Sequence, residues 1–173
     1  IARDSRDHVV AARQGSFILL AAASANGAWG SDYDFSRYSV DGRKYWTFGS
    51  AHVLAAQFLF EATSGSVPFD QLVQIGSDTA MRGYTRGRYR DSDGVGAQVE
   101  YRSPFFKRLG VVGFVGAGGV APSTGKLSET TVRPSYGAGL RILLFPAQRA
   151  TIRIDYGRGT GSSGLYLALG EAF

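Results

Sequence analysis

Apolar and polar residues alternate with a period of two along most of this chain. The pattern is clearest where Val95, Ala97, Val99 and Tyr101 interleave with Gly96, Gln98, Glu100 and Arg102. It returns where Tyr136, Ala138, Leu140, Ile142 and Leu144 oppose Gly137, Gly139 and Arg141, and again where Ala150, Ile152, Ile154 and Tyr156 oppose Arg149, Thr151, Arg153 and Asp155. A repeat of two residues places successive side chains on opposite faces of a strand. Further strands are predicted over Ser16–Ala25, Phe35–Thr47, Val53–Thr63, Gly110–Val120 and Ser163–Phe173, with the end of another at residues 1–7. Residues 51–62 also carry good helix formers, but the alternation fits a strand better. The prediction is an all-β chain of eight full strands plus a partial amino-terminal one, read as a single domain over 1–173.

The connections sort by length. Turns at 11–15, 48–51, 103–108 and 145–148 are short; those at 26–32, 64–93, 121–131 and 157–162 are longer. Strands of about 9 to 11 residues span a bilayer when tilted. Short turns at one end and long loops at the other mark a transmembrane antiparallel β-barrel. A water-soluble sandwich has no reason to sort its loops in this way. Tyr38, Trp46, Tyr101, Tyr136, Tyr156 and Phe173 fall on the apolar face near strand ends, as an interfacial aromatic girdle would. Gly116, Gly118, Gly137 and Gly139 fall on the opposite face, where small residues leave room inside the wall.

Composition agrees with this reading. The 173 residues include 24 glycines, are 13% aromatic and only 19% charged. No apolar run approaches the roughly 18 to 20 residues of a spanning helix, the one at Phe17–Ala23 being far shorter. The start, Ile1-Ala2-Arg3-Asp4, carries no secretory h-region, so the chain is expected to begin after processing or inside a longer protein. There is no cysteine, which excludes disulfides and thiolate metal sites. The net charge of +5 comes mostly from residues spaced singly along alternating strands, the wet face of a sheet rather than a nucleic-acid surface.

Nothing in the sequence supplies catalytic machinery. His8 and His52 stand outside any nucleophile or metal-ligand pattern, and no cofactor is implied. Gly157-Arg158-Gly159-Thr160-Gly161 precedes no helix and reads as a turn, not a phosphate cradle. The strongest local signal is Met81-Arg82-Gly83-Tyr84-Thr85-Arg86-Gly87-Arg88-Tyr89-Arg90, four arginines within nine residues inside the long 64–93 loop. Such a loop is either solvated or folded inward onto opposite charge. At the other end of the chain, Leu165, Leu167, Leu169 and Phe173 step by two toward an aromatic end, as in barrels read by an insertion machinery; Glu171 departs from that step.

These residues resemble the BamA/TamA-like outer-membrane assembly barrels, the bacterial surface antigen superfamily. Met81-Arg82-Gly83-Tyr84 is similar to the Val-Arg-Gly-Phe/Tyr signature of their sixth extracellular loop. Gln98-Val99-Glu100-Tyr101-Arg102, Gly113-Phe114-Val115-Gly116-Ala117-Gly118, Ile152-Arg153-Ile154-Asp155-Tyr156-Gly157 and Gly170-Glu171-Ala172-Phe173 extend the resemblance. It covers the whole chain, is most specific over 76–173, and matches strands nine to sixteen of a sixteen-stranded barrel with a remnant of strand eight. The resemblance implies a loop folded into the lumen, with Arg82 paired to Glu100 and Gly83 and Tyr84 beside it. The family's Phe-x-Asp-x-Gly acid is replaced by Gly116, so Arg82 either pairs more weakly or takes Asp155 as a second partner.

The resemblance also implies a bacterial outer-membrane barrel that inserts or exports outer-membrane proteins, without enzymatic chemistry, metal or cofactor. Its partners would be outer-membrane lipid, an unfolded outer-membrane protein or exported client, and missing strands or a second copy that close the barrel. Client strands would pair at a seam along 163–173, weakened by Gly164 and Gly170. No stretch of the chain resembles the family's periplasmic receptor domains. Two alternatives stay open: a passive structural or adhesive barrel with an outward loop, and a lipid-modifying enzyme using His8 or His52 beside a serine or acid.

Overall fold

The computed structural model describes residues 1–173. Nine strands form one antiparallel sheet: β1 (Ala2–Asp4), β2 (Gly15–Ala25), β3 (Phe35–Phe48), β4 (His52–Gly65), β7 (Asp93–Arg102), β8 (Leu109–Ala121), β9 (Arg133–Phe145), β10 (Ala150–Gly159) and β11 (Ser162–Leu169). Sheet order follows chain order, so every connection joins neighbours. The sheet is open, with β1 and β11 at its edges. No helix is long and apolar enough to cross a membrane. The segment with the helical alternative, 51–62, is strand from His52 onward, with Ala51 in the preceding turn.

Two connections differ from their predicted lengths. The first turn is not 11–15 but the ten residues 5–14, because β1 is only three residues long. The last is not 157–162 but the pair Thr160-Gly161, since β10 continues through Gly159. The long insertion has structure of its own. After a short 3-10 turn at Phe69–Gln71, β5 (Val73–Ile75) pairs with β6 (Tyr89–Asp91), carrying residues 76–88 as a tip.

The sheet is strongly curled. Strands lie about 4.8 Å apart, so on a flat sheet β7 and β10 would be roughly 14 Å from each other. Here one guanidinium touches acids on both strands. At the short-turn end, Arg149 of the β9–β10 turn meets Asp7 of the β1–β2 turn at 2.6 Å, although 142 positions separate them.

Burial is inverted relative to a water-soluble domain. Leu165, Leu167 and Leu169 are each about three-quarters exposed, at 74%, 75% and 77%. Tyr38, Trp46, Tyr101, Tyr136 and Tyr156 also point outward. The largest fully buried side chains are instead Arg82, Arg141, Arg153, Tyr45, Tyr84, Glu100 and Asp155. An outer face rich in Leu, Val and Tyr around a polar interior is the arrangement that hydrocarbon outside and water inside would select.

Phe173 corrects the sequence reading. It does not share the face of the three leucines: Gly170, at φ +81°, turns the chain inward, and Phe173 is buried against Ala12, Tyr45, Ala55 and Ala172. It therefore belongs to an internal cluster and not to the outer aromatic band.

Candidate functional site

The inward face of the sheet holds the tip of the long loop. A left-handed backbone at Gly76, Met81 and Gly83 folds the tip tightly, and Ser77 Oγ accepts the Thr79 and Ala80 N–H groups. A side chain at Gly76 would collide with Tyr84, its Cβ falling 2.8 Å from the tyrosine Cβ. This fold presents Arg82 and Tyr84 in different directions from one short turn.

Arg82 is fully buried and forks between two carboxylates. Its Nη2 donates to Glu100 Oε2 on β7, and its Nη1 to Asp155 Oδ2 on β10. The guanidinium lies over the ring of Phe114 on β8, 3.5 Å from its centroid. Ser135 on β9 donates its hydroxyl to the Arg82 carbonyl, and Tyr166 on β11 accepts the Gly83 N–H at 2.8 Å. One residue pair of the loop thus touches five consecutive strands. Gly116, in the place of the family acid, makes no charge contribution; a Cβ there would come within 3.4 Å of the Met81 sulfur.

Tyr84 is the second fixed point. Its hydroxyl donates to the Pro134 carbonyl at 2.6 Å and accepts the Thr160 N–H at 3.0 Å. The strand beside it is glycine because the loop fills the space: a Cβ on Gly157 would lie 2.7 Å from the Arg82 carbonyl carbon. Gly137 and Gly139 make room in the same way for Phe114 and Asp155.

A third contact is uncharged. Gln98 on β7 accepts the Met81 N–H at 3.3 Å and donates to the Thr79 carbonyl at 2.7 Å and to Gln57 Oε1 at 2.6 Å. Gln57 in turn donates to Asp41.

Around Arg82 the wall forms a network that the sequence reading missed. Arg102 Nε donates to Glu100 at 2.7 Å, and Arg141 bridges Asp155 at 2.5 Å and Glu171 at 2.7 Å. Arg153 reaches Asp78 of the loop at 3.0 Å. Glu171, which breaks the apolar step before Phe173, turns inward to serve Arg141 and, at 3.6 Å, Arg102. Buried ions of this kind are retained only when paired and hydrogen-bonded. The signal was available in strand parity: Arg102, Arg141 and Arg153 share the inward face with Glu100 and Asp155.

The other candidates lie elsewhere. His8 Nδ1 accepts the Val10 and Ala11 N–H groups within its turn. His52 shares a 2.6 Å hydrogen bond with the Tyr101 hydroxyl and stacks on Phe48, on the outer face. Neither histidine has a serine or an acid as its partner. Leu165, Leu167 and Leu169 line the outer face of β11, where Gly164 pairs with Gly157.

The arrangement immobilises a loop, and no group of three His, Cys, Asp or Glu side chains stands close enough to hold a metal ion. Known proteins give this geometry a context. The chain aligns over 97% of its length with BamA from Haemophilus ducreyi, in a crystal structure lacking POTRA domains 1–3, at a TM-score of 0.75 and 17% identity. It spans 40% of that chain, so the common fold is a part of the larger barrel protein. No curated protein matches it in sequence. Residues 1–173 match the Omp85 superfamily domain throughout. The chain is a member of the Omp85 superfamily, and its open antiparallel sheet is the carboxy-terminal part of a transmembrane β-barrel.

Proposed function

We propose that this chain forms the carboxy-terminal wall of a bacterial outer-membrane pore that inserts or exports outer-membrane proteins, and that Arg82 is the anchor holding its long loop in the lumen. The observation carrying this reading is the fork of Arg82 between Glu100 and Asp155. A loop of 27 residues between β4 and β7 is costly to order, and an adhesive barrel would need it outside the lumen, not pinned to the inner wall. Fixed inside, the loop shapes the lumen and ties β7 through β11 into one body. The edge of β11 then offers unpaired main-chain groups, the chemistry by which an incoming strand of a client would add. The remaining strands of the barrel come from sequence outside these residues or from another copy.

The test is the Arg82→Ala substitution in the intact parent protein, in cells depleted of the unsubstituted form. The expected result is normal delivery of the barrel to the outer membrane with reduced insertion of outer-membrane proteins. Unchanged insertion would overturn the proposal. The adhesive alternative predicts instead a loop cut readily by protease on intact cells.

A further inference from the structure

The outward face of β7 to β10 is not evenly filled. In one row across the sheet Tyr101 pairs with Gly113, Gly113 with Ala138, and Ala138 with Tyr156. Two small residues therefore stand between two tyrosines, and the recess they leave is closed above by Val115 and Tyr136, the next outward pair of the same strands. Gly113 has no internal cause. Every other glycine of β8, β9 and β10 would bring a Cβ within 4 Å of a neighbouring atom, whereas one on Gly113 would meet nothing. A glycine inside a strand weakens it, so this gap is left open toward hydrocarbon with no benefit to the wall itself.

From this recess β8 leads to the 103–108 turn, and its outward residues on the way, Val111 and Leu109, are each more than half exposed. The four steps from Gly113 to Leu109 span about 13 Å, close to the roughly 15 Å of one leaflet's hydrocarbon. The turn itself carries an exposed Phe106 followed by Lys107 and Arg108. Lys107 Nζ stands 5.8 Å from the centre of the Phe106 ring, and Arg108 donates to the Leu144 carbonyl at 3.3 Å. No acidic residue occurs in this turn or in the neighbouring turns 49–51 and 146–149, so both cations keep their charge unmatched.

We propose that the outward face of β8 is a site for one anionic phospholipid of the periplasm-facing leaflet, its phosphate on Lys107 and Arg108 and one acyl chain running over Leu109 and Val111 into the recess at Gly113. Short turns of a membrane barrel face the periplasm, which sets the leaflet. Charge selects the head: two cations at the edge of the hydrocarbon, beside an aromatic ring at the interfacial level, attract an anionic lipid. Shape selects the tail. Within a bilayer apolar surface gains nothing by leaving water, so a chain is held by the close contact that a recess gives. The site depends on the membrane barrel fold and not on the pore reading.

Native mass spectrometry of the folded protein in detergent micelles counts bound lipid during titration with phosphatidylglycerol and, separately, with phosphatidylcholine of the same chains. The expected result is saturable binding of phosphatidylglycerol, about tenfold tighter than that of phosphatidylcholine. Lys107→Asn together with Arg108→Gln should make the two lipids bind alike; asparagine tolerates the left-handed backbone at position 107, φ +57°. Gly113→Leu fills the recess while enlarging the apolar surface, so it should weaken phosphatidylglycerol about threefold or more, where a merely annular lipid would not be weakened. Ala138→Leu fills the recess from the next strand and reports should Gly113→Leu fail to fold. The proposal falls if the unsubstituted protein does not prefer phosphatidylglycerol, if the double variant keeps the preference, or if the filled variants retain the lipid. A dimer of the chain that a filled variant splits would assign the recess to a second copy and overturn it as well.

Discussion

Gly159 stands where Tyr84 leaves no space for a side chain: a Cβ built there would lie 2.4 Å from Cζ of the tyrosine ring. The loop and the wall are therefore fitted to each other residue by residue, and Gly159→Ala should separate them. Overpacking of this kind costs about 1 to 3 kcal/mol. The expected outcome is a lower thermal midpoint together with faster tryptic cleavage at Arg86 and Arg88, because the ring must leave its place between Pro134 and Thr160.

Arg82→Ala leaves Glu100 with Arg102 and Asp155 with Arg141, but empties the fork that joined the two acids to the loop. Because both acids keep an arginine, the cost stays below the roughly 3 to 5 kcal/mol of a buried charge left wholly unpaired. Arg82→Lys should recover little of this, since an ammonium lacks the fork that reaches two carboxylates and lies flat on Phe114. Thermal unfolding of the three forms in detergent checks both statements; full rescue by lysine would show that charge alone matters.

The uncharged contact separates from the ionic one by its response to substitution. Gln98→Leu removes the acceptor of the Met81 N–H and both donations to Thr79 and Gln57, leaving buried groups unpaired at about 1 to 3 kcal/mol. Amide exchange at Met81 should accelerate in Gln98→Leu while Arg82 stays paired, and equal protection in both forms would contradict this.

A pH effect is expected at the short-turn end. Partial burial pushes the Asp7 carboxyl up, but the Arg149 guanidinium and the N–H groups of Arg13 and Gln14 outweigh burial and hold it below the usual carboxylate range. A carboxyl depressed in the folded state contributes stability fully above its unfolded value, about 3.9, and loses it as pH falls through the lower folded value. Asp7→Asn should therefore reduce stability at neutral pH and flatten its decline below about pH 4. Unfolding midpoints measured from pH 7 to pH 2 test this.

How much of this was legible in the sequence varied with the kind of information needed. Alternation along 95–102 or 150–156 declares both a strand and its wet face, so the nine-stranded sheet and the inward side of Glu100 and Asp155 could be read directly. Parity does not say which inward residues become neighbours across strands. Hence Arg102, Arg141 and Glu171 went unnoticed as a network. Gly157 and Gly159 read as a turn because glycine usually punctuates strands; the true cause is tertiary, the loop lying against them. Extrapolating the leucine step to Phe173 failed at Gly170, where a single left-handed residue brings Glu171 and Phe173 to the inner side.

The central claim is that the tip of the long loop rests against the inner wall, and a cross-link tests it most directly. The Cβ position of Gly96 lies 3.9 Å from Cγ of Met81, and the chain has no cysteine to interfere. With Met81→Cys and Gly96→Cys together, mild oxidation of the folded protein in its membrane should form the 81–96 disulfide nearly completely, as should the register-paired control Ala97→Cys with Ala117→Cys. A control pair that closes while the 81–96 pair stays reduced would contradict the account.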